Sequence, residues 1–345
     1  MHYEVIPGKE ISGWNKKLKS SSASFFQYPY YANGYKFLAL CKPVYLQIKE
    51  NDPVAFCAIM EIGFPFFKIG LVIRGPVILK PGTSVPGILD SIKKFASKKG
   101  YIFLRINPNE NAVETFLKDD TDFIQADYFP LYKGSQGRDF IVSTIPEDKL
   151  LPSFNQSCRQ KIKYAARLPF QFTKIQTDKE LKEVYQLFEE VGRMKNFKYR
   201  PYKSYLSVFS EGHAENLCDV YTAKLNNKLY CAALIVKDRE SYNNLSGALI
   251  VGEFDSHASP ASQVQYNIMK DCFYLEQKPS YNISYSGPES SVYQFKASFR
   301  PVEELKPLTY TYIINKRLSE WLYKIQQKKL SSLKNKFRTF TKKFS

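Results

Sequence analysis

The chain has few of the residues that build metal centres and disulfide scaffolds. Its three histidines, His2, His213 and His257, fall into no HExxH or comparable ligand spacing, which argues against a zinc site. Six cysteines, Cys41, Cys57, Cys158, Cys218, Cys231 and Cys272, are scattered with no CxxC pair, the usage of a reduced cytosolic protein in which most are small core residues. No run of about 18 apolar residues occurs, so no membrane-spanning helix is expected. The opening Met1-His2-Tyr3-Glu4-Val5-Ile6-Pro7 lacks the basic-then-apolar order of a signal peptide. Glycine-rich phosphate cradles are missing too. There is no P-loop, no dinucleotide fingerprint and no Gly-x-Ser-x-Gly elbow. The pyrophosphate loop Gln/Arg-x-x-Gly-x-Gly/Ala is also absent; Gly134-Ser135-Gln136-Gly137-Arg138 comes nearest, with the wrong spacing.

What is present is aromatic and basic. With 345 residues, 44% of them hydrophobic, and with 26 Phe and 25 Tyr, the chain has material for two packed domains. Fifty basic residues against 33 acidic ones give a net charge of +17. From Lys316 to Ser345 ten Lys or Arg face only Glu320, so this tail carries +9 and the body +8. A basic body suits a polyanionic or phosphate-bearing partner; charge alone leaves tRNA, a nucleotide diphosphate and an anionic lipid surface open.

Two stretches share an order of elements. In the first, strands are expected at Val44–Lys49, Val54–Ile62 and Phe67–Leu79, then a helix at Val85–Lys99 and a strand at Tyr101–Ile106. In the second, strands at Asp219–Leu225, Leu229–Lys237 and Tyr242–Val251 precede a helix at Pro260–Glu276 and a strand at Tyr281–Tyr285. Turns fall at Asn51-Asp52-Pro53 and Asn226-Asn227, the matching places. Between the halves, Leu151, Phe154, Cys158, Ile162 and Ala166 stripe one helix, whose other face carries Arg159, Lys161, Lys163 and Arg167. A second helix opens on the capping box Thr177-Asp178-Lys179-Glu180 and continues through Leu181, Val184, Phe188 and Val191. Beyond Asn315 a basic helix is expected, striped by Leu318, Leu322, Ile325, Leu333, Phe337 and Phe340.

Five segments in order carry a family resemblance. They are Ala23-Ser24-Phe25-Phe26-Gln27-Tyr28-Pro29-Tyr30-Tyr31, Arg74-Gly75-Pro76, Leu104-Arg105-Ile106-Asn107-Pro108, Arg159-Gln160-Lys161-Ile162-Lys163-Tyr164-Ala165, and Ser291-Val292-Tyr293-Gln294-Phe295-Lys296-Ala297-Ser298-Phe299-Arg300-Pro301. Together, over residues 24–311, they resemble the Fem-type peptidoglycan-bridge aminoacyltransferases (FemA/FemB/FemX-like). The resemblance implies an α+β chain of two tandem GNAT-like acyltransferase domains, each a mixed, mostly antiparallel sheet flanked by helices. The domains would be residues 1–148 and 149–314, with 315–345 a basic helix partly packed on the first.

The function implied is transfer of an aminoacyl group from aminoacyl-tRNA to an amino group of a nucleotide- or lipid-linked cell-envelope precursor. No cofactor or metal is implied. Lys296 is the catalytic candidate, since a fixed cation in a low-dielectric site stabilises a tetrahedral oxyanion and a departing ribose oxygen. Phe295 would wall that site, although Phe295 and Phe299, one helical turn apart, also read simply as core. Lys36, Arg74, Arg159 and Arg193 are the candidates for phosphate. Tyr199, Tyr202 and Tyr285 are candidates for the acceptor's peptide or sugar. At the position where the family carries an aspartate, this chain has Ser284, so Glu289 or Asp255 would have to act as base, or the amine would lose its proton to substrate or water. The coiled-coil arm of some family members has no room between Lys195 and Cys218.

Two alternatives stand beside this reading. One is an N-acetyltransferase of a sugar or amino acid with acyl-CoA as co-substrate; the other is a non-catalytic module for RNA or membrane surfaces. The expected location is the cytoplasm; the tail has three readings, a helix packed back on the first domain, a contact with tRNA, or a contact with the inner face of an anionic membrane through Trp321, Leu322, Phe337 and Phe340.

Overall fold

The computed structural model describes residues 1–11, 13–125, 137–250, 257–288, 290–322 and 324. The chain divides into two compact units, one of Met1–Ile6, Leu40–Gly137 and Pro307–Ser345, the other of Pro7–Ala39 and Arg138–Lys306. It opens with β1 (His2–Val5) and two short helices, α1 (Gly13–Leu18) and α2 (Pro29–Asn33). Then β2 (Cys41–Lys49), β3 (Pro53–Gly63) and β4 (Lys68–Ile73) pair in antiparallel succession. The single strand expected over Phe67–Leu79 is broken in two. Arg74 takes a positive φ of 53° and Pro76 offers no N–H, so the ladder stops and resumes as β5 (Val77–Ile78) against β3. The crossover helix α3 (Val85–Lys99) is capped by Ser84, buries Ile88, Leu89, Ile92 and Phe95, and ends at Gly100, whose φ of 76° suits a residue without Cβ. It returns the chain as β6 (Tyr101–Asn107), parallel to β4. The helix α4 (Asn111–Asp119) and β7 (Phe123–Gln125) follow.

The second unit repeats the plan. After β8 (Arg138–Ser143) come α5 (Glu147–Ser153) and α6 (Gln156–Arg167), in place of one continuous helix. Phe154 and Asn155 are extended and part the two, and the buried stripe of α6 runs Cys158, Ile162, Ala165, leaving Ala166 exposed. Next come β9 (Gln171–Lys174) and α7 (Asp178–Met194), which opens on the expected capping box with both hydrogen bonds made. A helix absent from the sequence reading, α8 (Tyr202–Ala214), precedes the antiparallel run β10 (Cys218–Leu225), β11 (Lys228–Lys237) and β12 (Ser241–Leu249). The crossover α9 (Pro260–Lys270) widens into one π turn at Asp271–Leu275 and leads to β13 (Ser280–Asn282), parallel to β12. Last come α10 (Ser291–Ala297), β14 (Val302–Leu305) and β15 (Tyr310–Ile313).

Both sheets therefore carry two antiparallel steps, a helical crossover and one parallel step, the order of elements expected from the sequence. The strand orders are β1-β2-β3-β4-β6-β15-β7, with β5 on β3, and β14-β8-β13-β12-β11-β10-β9. The domain division differs from a single cut after residue 148. Strand β15, late in the chain, inserts between β6 and β7 of the first sheet, and β8 joins β13 of the second. Residues 7–39 belong to the second unit, where α2 packs on α8. Each unit has its own core, Leu46, Ile59, Ile92 and Leu104 among its members in the first, Phe154, Ile235, Ile268 and Tyr281 in the second. The six cysteines are unpaired and five are buried, burial holding the thiols of Cys57, Cys158, Cys218, Cys231 and Cys272 above their ordinary range. Beyond β15 the chain is helical at residues 316–322, and Leu318 and Leu322 pack on Ile69, Ile102 and Phe103 of the first unit. The tail residues Ile325, Leu333, Phe337 and Phe340 lie outside the described residues.

Candidate active site

The parallel step differs between the two sheets. In the first, β4 and β6 pair from Lys68↔Tyr101 to Ile73↔Asn107, with one register shift between Lys68 and Gly70. In the second, β12 and β13 pair only from Ser241↔Ser280 to Asn243↔Asn282 and then part. Sequence reading extended β13 to Tyr285; it stops early because Asn282 and Ser284 make a turn. The Ser284 N–H donates to Asn282 Oδ1 (2.8 Å), Ser284 takes a positive φ of 63°, and its hydroxyl donates to the Asn244 carbonyl (2.8 Å). A parting of parallel strands is where an α/β sheet offers free backbone groups and room to a ligand. The continuing part of β12 is engaged from the α7–α8 loop and from α8: the Tyr199 hydroxyl donates to the Gly247 carbonyl (2.7 Å), and Tyr205 and Ser246 share a hydroxyl–hydroxyl bond (2.8 Å).

After that turn comes α10, capped by Ser290, whose Oγ accepts from the Tyr293 N–H (3.1 Å). Phe299, 1% exposed, meets Phe154 and Phe295 edge-on at 5.2 and 5.4 Å, so the aromatic pair anchors the segment to the core. The Ser298 carbonyl accepts from the Asn155 N–H (2.9 Å) and Arg300 Nε donates to Asn155 Oδ1 (2.7 Å), tying α10 to the start of α6. Between these anchors Lys296 is half-buried, and desolvation alone lowers its pKa to about 8. Among the described residues its ammonium has no hydrogen-bond or ion-pair partner. A desolvated cation without a counter-charge is an unfavourable arrangement for folding and a useful one for stabilising charge that develops in a reaction.

Two further groups of side chains lie in the same unit. At the end of α7 a cleft of about 1030 Å³ is lined by Tyr185, Glu189, Arg193, Phe197, Lys198 and Tyr199, among others. Its wall is aromatic: Tyr199 stacks flat on Phe188 (4.7 Å, 11°) and Tyr202 lies 5.3 Å from the Tyr185 ring. The second group is built on Arg200. Its Nη2 donates to the Tyr31 hydroxyl (2.8 Å), its guanidinium lies 4.8 Å from the Tyr35 ring and 5.3 Å from that of Tyr31, and its Nη1 is buried without a hydrogen-bond partner among the described residues. Lys36 follows Tyr35 and is exposed; its charge offsets in part the burial that raises the Glu211 carboxyl, which also accepts from Asn33 Nδ2 (2.9 Å).

Thus Arg193 and Tyr199 share the cleft, and Tyr202 borders it while donating to the Asp178 carbonyl (3.3 Å). Arg159 has a structural role, its Nη1 donating to the Pro152 (3.1 Å) and Phe154 carbonyls at the end of α5. Tyr285 packs on Phe140 and Tyr293. Arg74 belongs to the first unit. The bases considered at Glu289 and Asp255 lie outside the described residues, as does most of the Gly134–Arg138 loop. Sequence reading missed Arg200, Lys198 and Tyr205. The signal was a lone arginine in Tyr199-Arg200-Pro201-Tyr202, read there for its tyrosines. Among the described residues no cluster of His, Cys, Asp or Glu could hold a metal ion.

No family model and no curated protein matches the chain. Solved structures do, and they define the class as a tandem GNAT-type fold. A tandem GNAT protein from the clavulanic acid biosynthesis pathway aligns over 90% of this chain and 98% of its own, at TM-score 0.52 and 11% identity. The C-terminal domain of a putative lysylphosphatidylglycerol synthetase from Agrobacterium fabrum aligns over 91% and 94%, at TM-score 0.55 and 12% identity. FemX aligns over 94% of this chain and the whole of its own, at TM-score 0.77 and 16% identity. The fold is the Fem-like, GNAT-type one expected from the sequence.

Proposed function

We propose that this protein is an N-acyltransferase whose second unit moves an aminoacyl group from aminoacyl-tRNA to an amino group of a peptidoglycan or other cell-envelope precursor. The observation that carries the reading is Lys296, desolvated and without a partner among the described residues, on the helix that follows the parting of β12 and β13. The acceptor amine attacks the ester carbonyl, a C–N bond forms, and the C–O bond to the ribose breaks. The Lys296 ammonium stabilises the oxyanion and gives its proton to the departing ribose oxygen; the incoming amine loses one proton to water or substrate. A lysine held near pKa 8 suits that donation better than one at its ordinary 10.5.

The acceptor's anionic part is assigned to the two basic groups. Arg200 has a buried N–H to offer and lies beside Tyr35 and hence Lys36, while Arg193 and Lys198 line the aromatic cleft. Arg159 is left out because its guanidinium is already engaged. The whole-chain likeness to FemX and the net charge of +17 favour a tRNA-borne donor. The test is donor binding and turnover with charged tRNA and with acetyl-CoA in parallel. Amide product from charged tRNA, absent with Lys296→Ala, supports the proposal. Thiol release from acetyl-CoA with no use of charged tRNA replaces it by acyl-CoA-dependent acetyl transfer. Binding of RNA or vesicles with no transfer of either acyl group rejects catalysis.

A further inference from the structure

The hairpin joining β3 to β4 has the sequence Phe64-Pro65-Phe66-Phe67, and its geometry turns one of these rings outward. The Phe64 N–H donates to the Phe67 carbonyl (2.8 Å) and the two rings stack at 4.5 Å on the cluster of Ile69, Ile102 and Phe103. Phe66, at the tip, is 93% exposed. Leu40, whose carbonyl accepts from the Gly63 N–H at the hairpin's base, is 55% exposed. The same cluster is met by Leu318 and Leu322 of the helix at residues 316–322, whose Trp321 is 53% exposed. The same segments carry exposed cations: Lys42 on β2, opposite Glu61 of β3, and Lys316, Arg317 and Lys324 on the helical segment, which bears one exposed acid, Glu320. Lys68 covers the one carboxylate of the hairpin strands, Glu61 (3.5 Å).

An exposed aromatic tip, an exposed indole on the helix packed against the same cluster, and exposed cations on these segments have the chemistry of a surface that dips into the headgroup region of an anionic bilayer: rings enter the interface, ammonium and guanidinium groups meet phosphates. A protein partner would need a wider apolar face than a single projecting ring, and a nucleic acid would be met by basic side chains with rings lying flat for stacking. We propose that the β3–β4 hairpin, with Phe66 leading, Leu40 at its base and Trp321 on the helix packed against the same cluster, docks this protein on an anionic membrane surface. The proposal does not depend on the acyl-transfer reading and concerns the first unit.

The test is co-sedimentation of the purified full chain with vesicles of phosphatidylcholine and of a phosphatidylcholine–phosphatidylglycerol mixture, at low and high salt. The wild type should sediment with the mixed vesicles and less with the neutral ones, and salt should weaken binding. Phe66→Asp should weaken it about tenfold or more, and Phe66→Asp with Trp321→Ala further still. Both side chains are exposed, so circular dichroism should be unchanged. Failure of the wild type to bind anionic vesicles overturns the proposal. So does equal binding by the double variant, which would leave attraction to the basic tail alone. Loss of tRNA binding in the double variant with vesicle binding unaffected would make the patch an RNA contact and overturn it as well.

Discussion

The hydroxyl of Ser284 donates to the carbonyl of Asn244 across the point where β12 and β13 part, at 2.8 Å. This bond gives Ser284 a structural task at the position where an acid–base residue was sought. Ser284→Ala should lower unfolding free energy by about 1 kcal/mol in denaturant titration while retaining transferase turnover. Ser284→Asp should gain no activity, since its carboxylate would face the Asn244 carbonyl. A faster Ser284→Asp variant would show that the position still serves as a base.

Lys296 makes stability depend on pH. Its folded pKa of about 8 lies below the unfolded value of 10.5, so the unfolded chain binds the proton more tightly. The penalty is full below about pH 8 and is relieved as pH rises from there toward 10.5. Lys296→Met should therefore be more stable than the wild type near neutral pH, by about 1–3 kcal/mol, with the gap closing through that window. Chemical denaturation at several pH values checks this. Over the same range the transfer rate of the wild type should fall as the ammonium deprotonates.

Arg200 offers a planar fork that a lysine cannot reproduce. Arg200→Lys should raise the KM for an anionic acceptor on the order of tenfold at saturating donor, with a smaller change in kcat. An unchanged KM would assign Arg200 to holding Tyr31 and Tyr35 and nothing more.

The contact of the 7–39 segment with α8 has no room to spare. A Cβ on Gly212 would stand 2.7 Å from Cys218 Cβ and 2.7 Å from the Tyr30 ring, both fixed by burial. Gly212→Ala should cost about 1–3 kcal/mol of stability. Gly13→Ala, with nothing within 4 Å of the new methyl, should be neutral or mildly stabilising, and thermal denaturation of the pair makes the comparison.

The repeated run of three strands, a helix and a strand was legible because each element is local: alternation and apolar stripes report burial within a dozen residues. Pairings between distant segments were not. Nothing in Arg138–Ser143 or Tyr310–Ile313 says which sheet each joins, since short strands accept any edge with the right pattern, and this is why residues 138–148 and 307–314 fall outside a single linear cut; residues 7–39 do so because α2 packs on α8. Breaks set by one residue were also missed: Arg74 and Ser284 take a positive φ that propensity does not signal, and at Ser284 the turn with Asn282 and the bond to Asn244 accompany it. At the site, Lys296 stood out as a lone cation between aromatics. Arg200 did not, because what distinguishes it is the hydroxyls of Tyr31 and Tyr35, far off in the chain.

The role of the Lys296 ammonium is tested most directly by single-turnover transfer from charged tRNA to an amine-bearing envelope precursor, with wild type, Lys296→Arg and Lys296→Met compared across pH. Amide product is expected with the wild type, falling off above about pH 8; a slower reaction without that fall-off is expected with Lys296→Arg, which keeps the charge but gives up no proton, and no product with a folded Lys296→Met. Wild-type rates from a folded Lys296→Met, or a pH profile that Lys296→Arg leaves in place, would contradict that role.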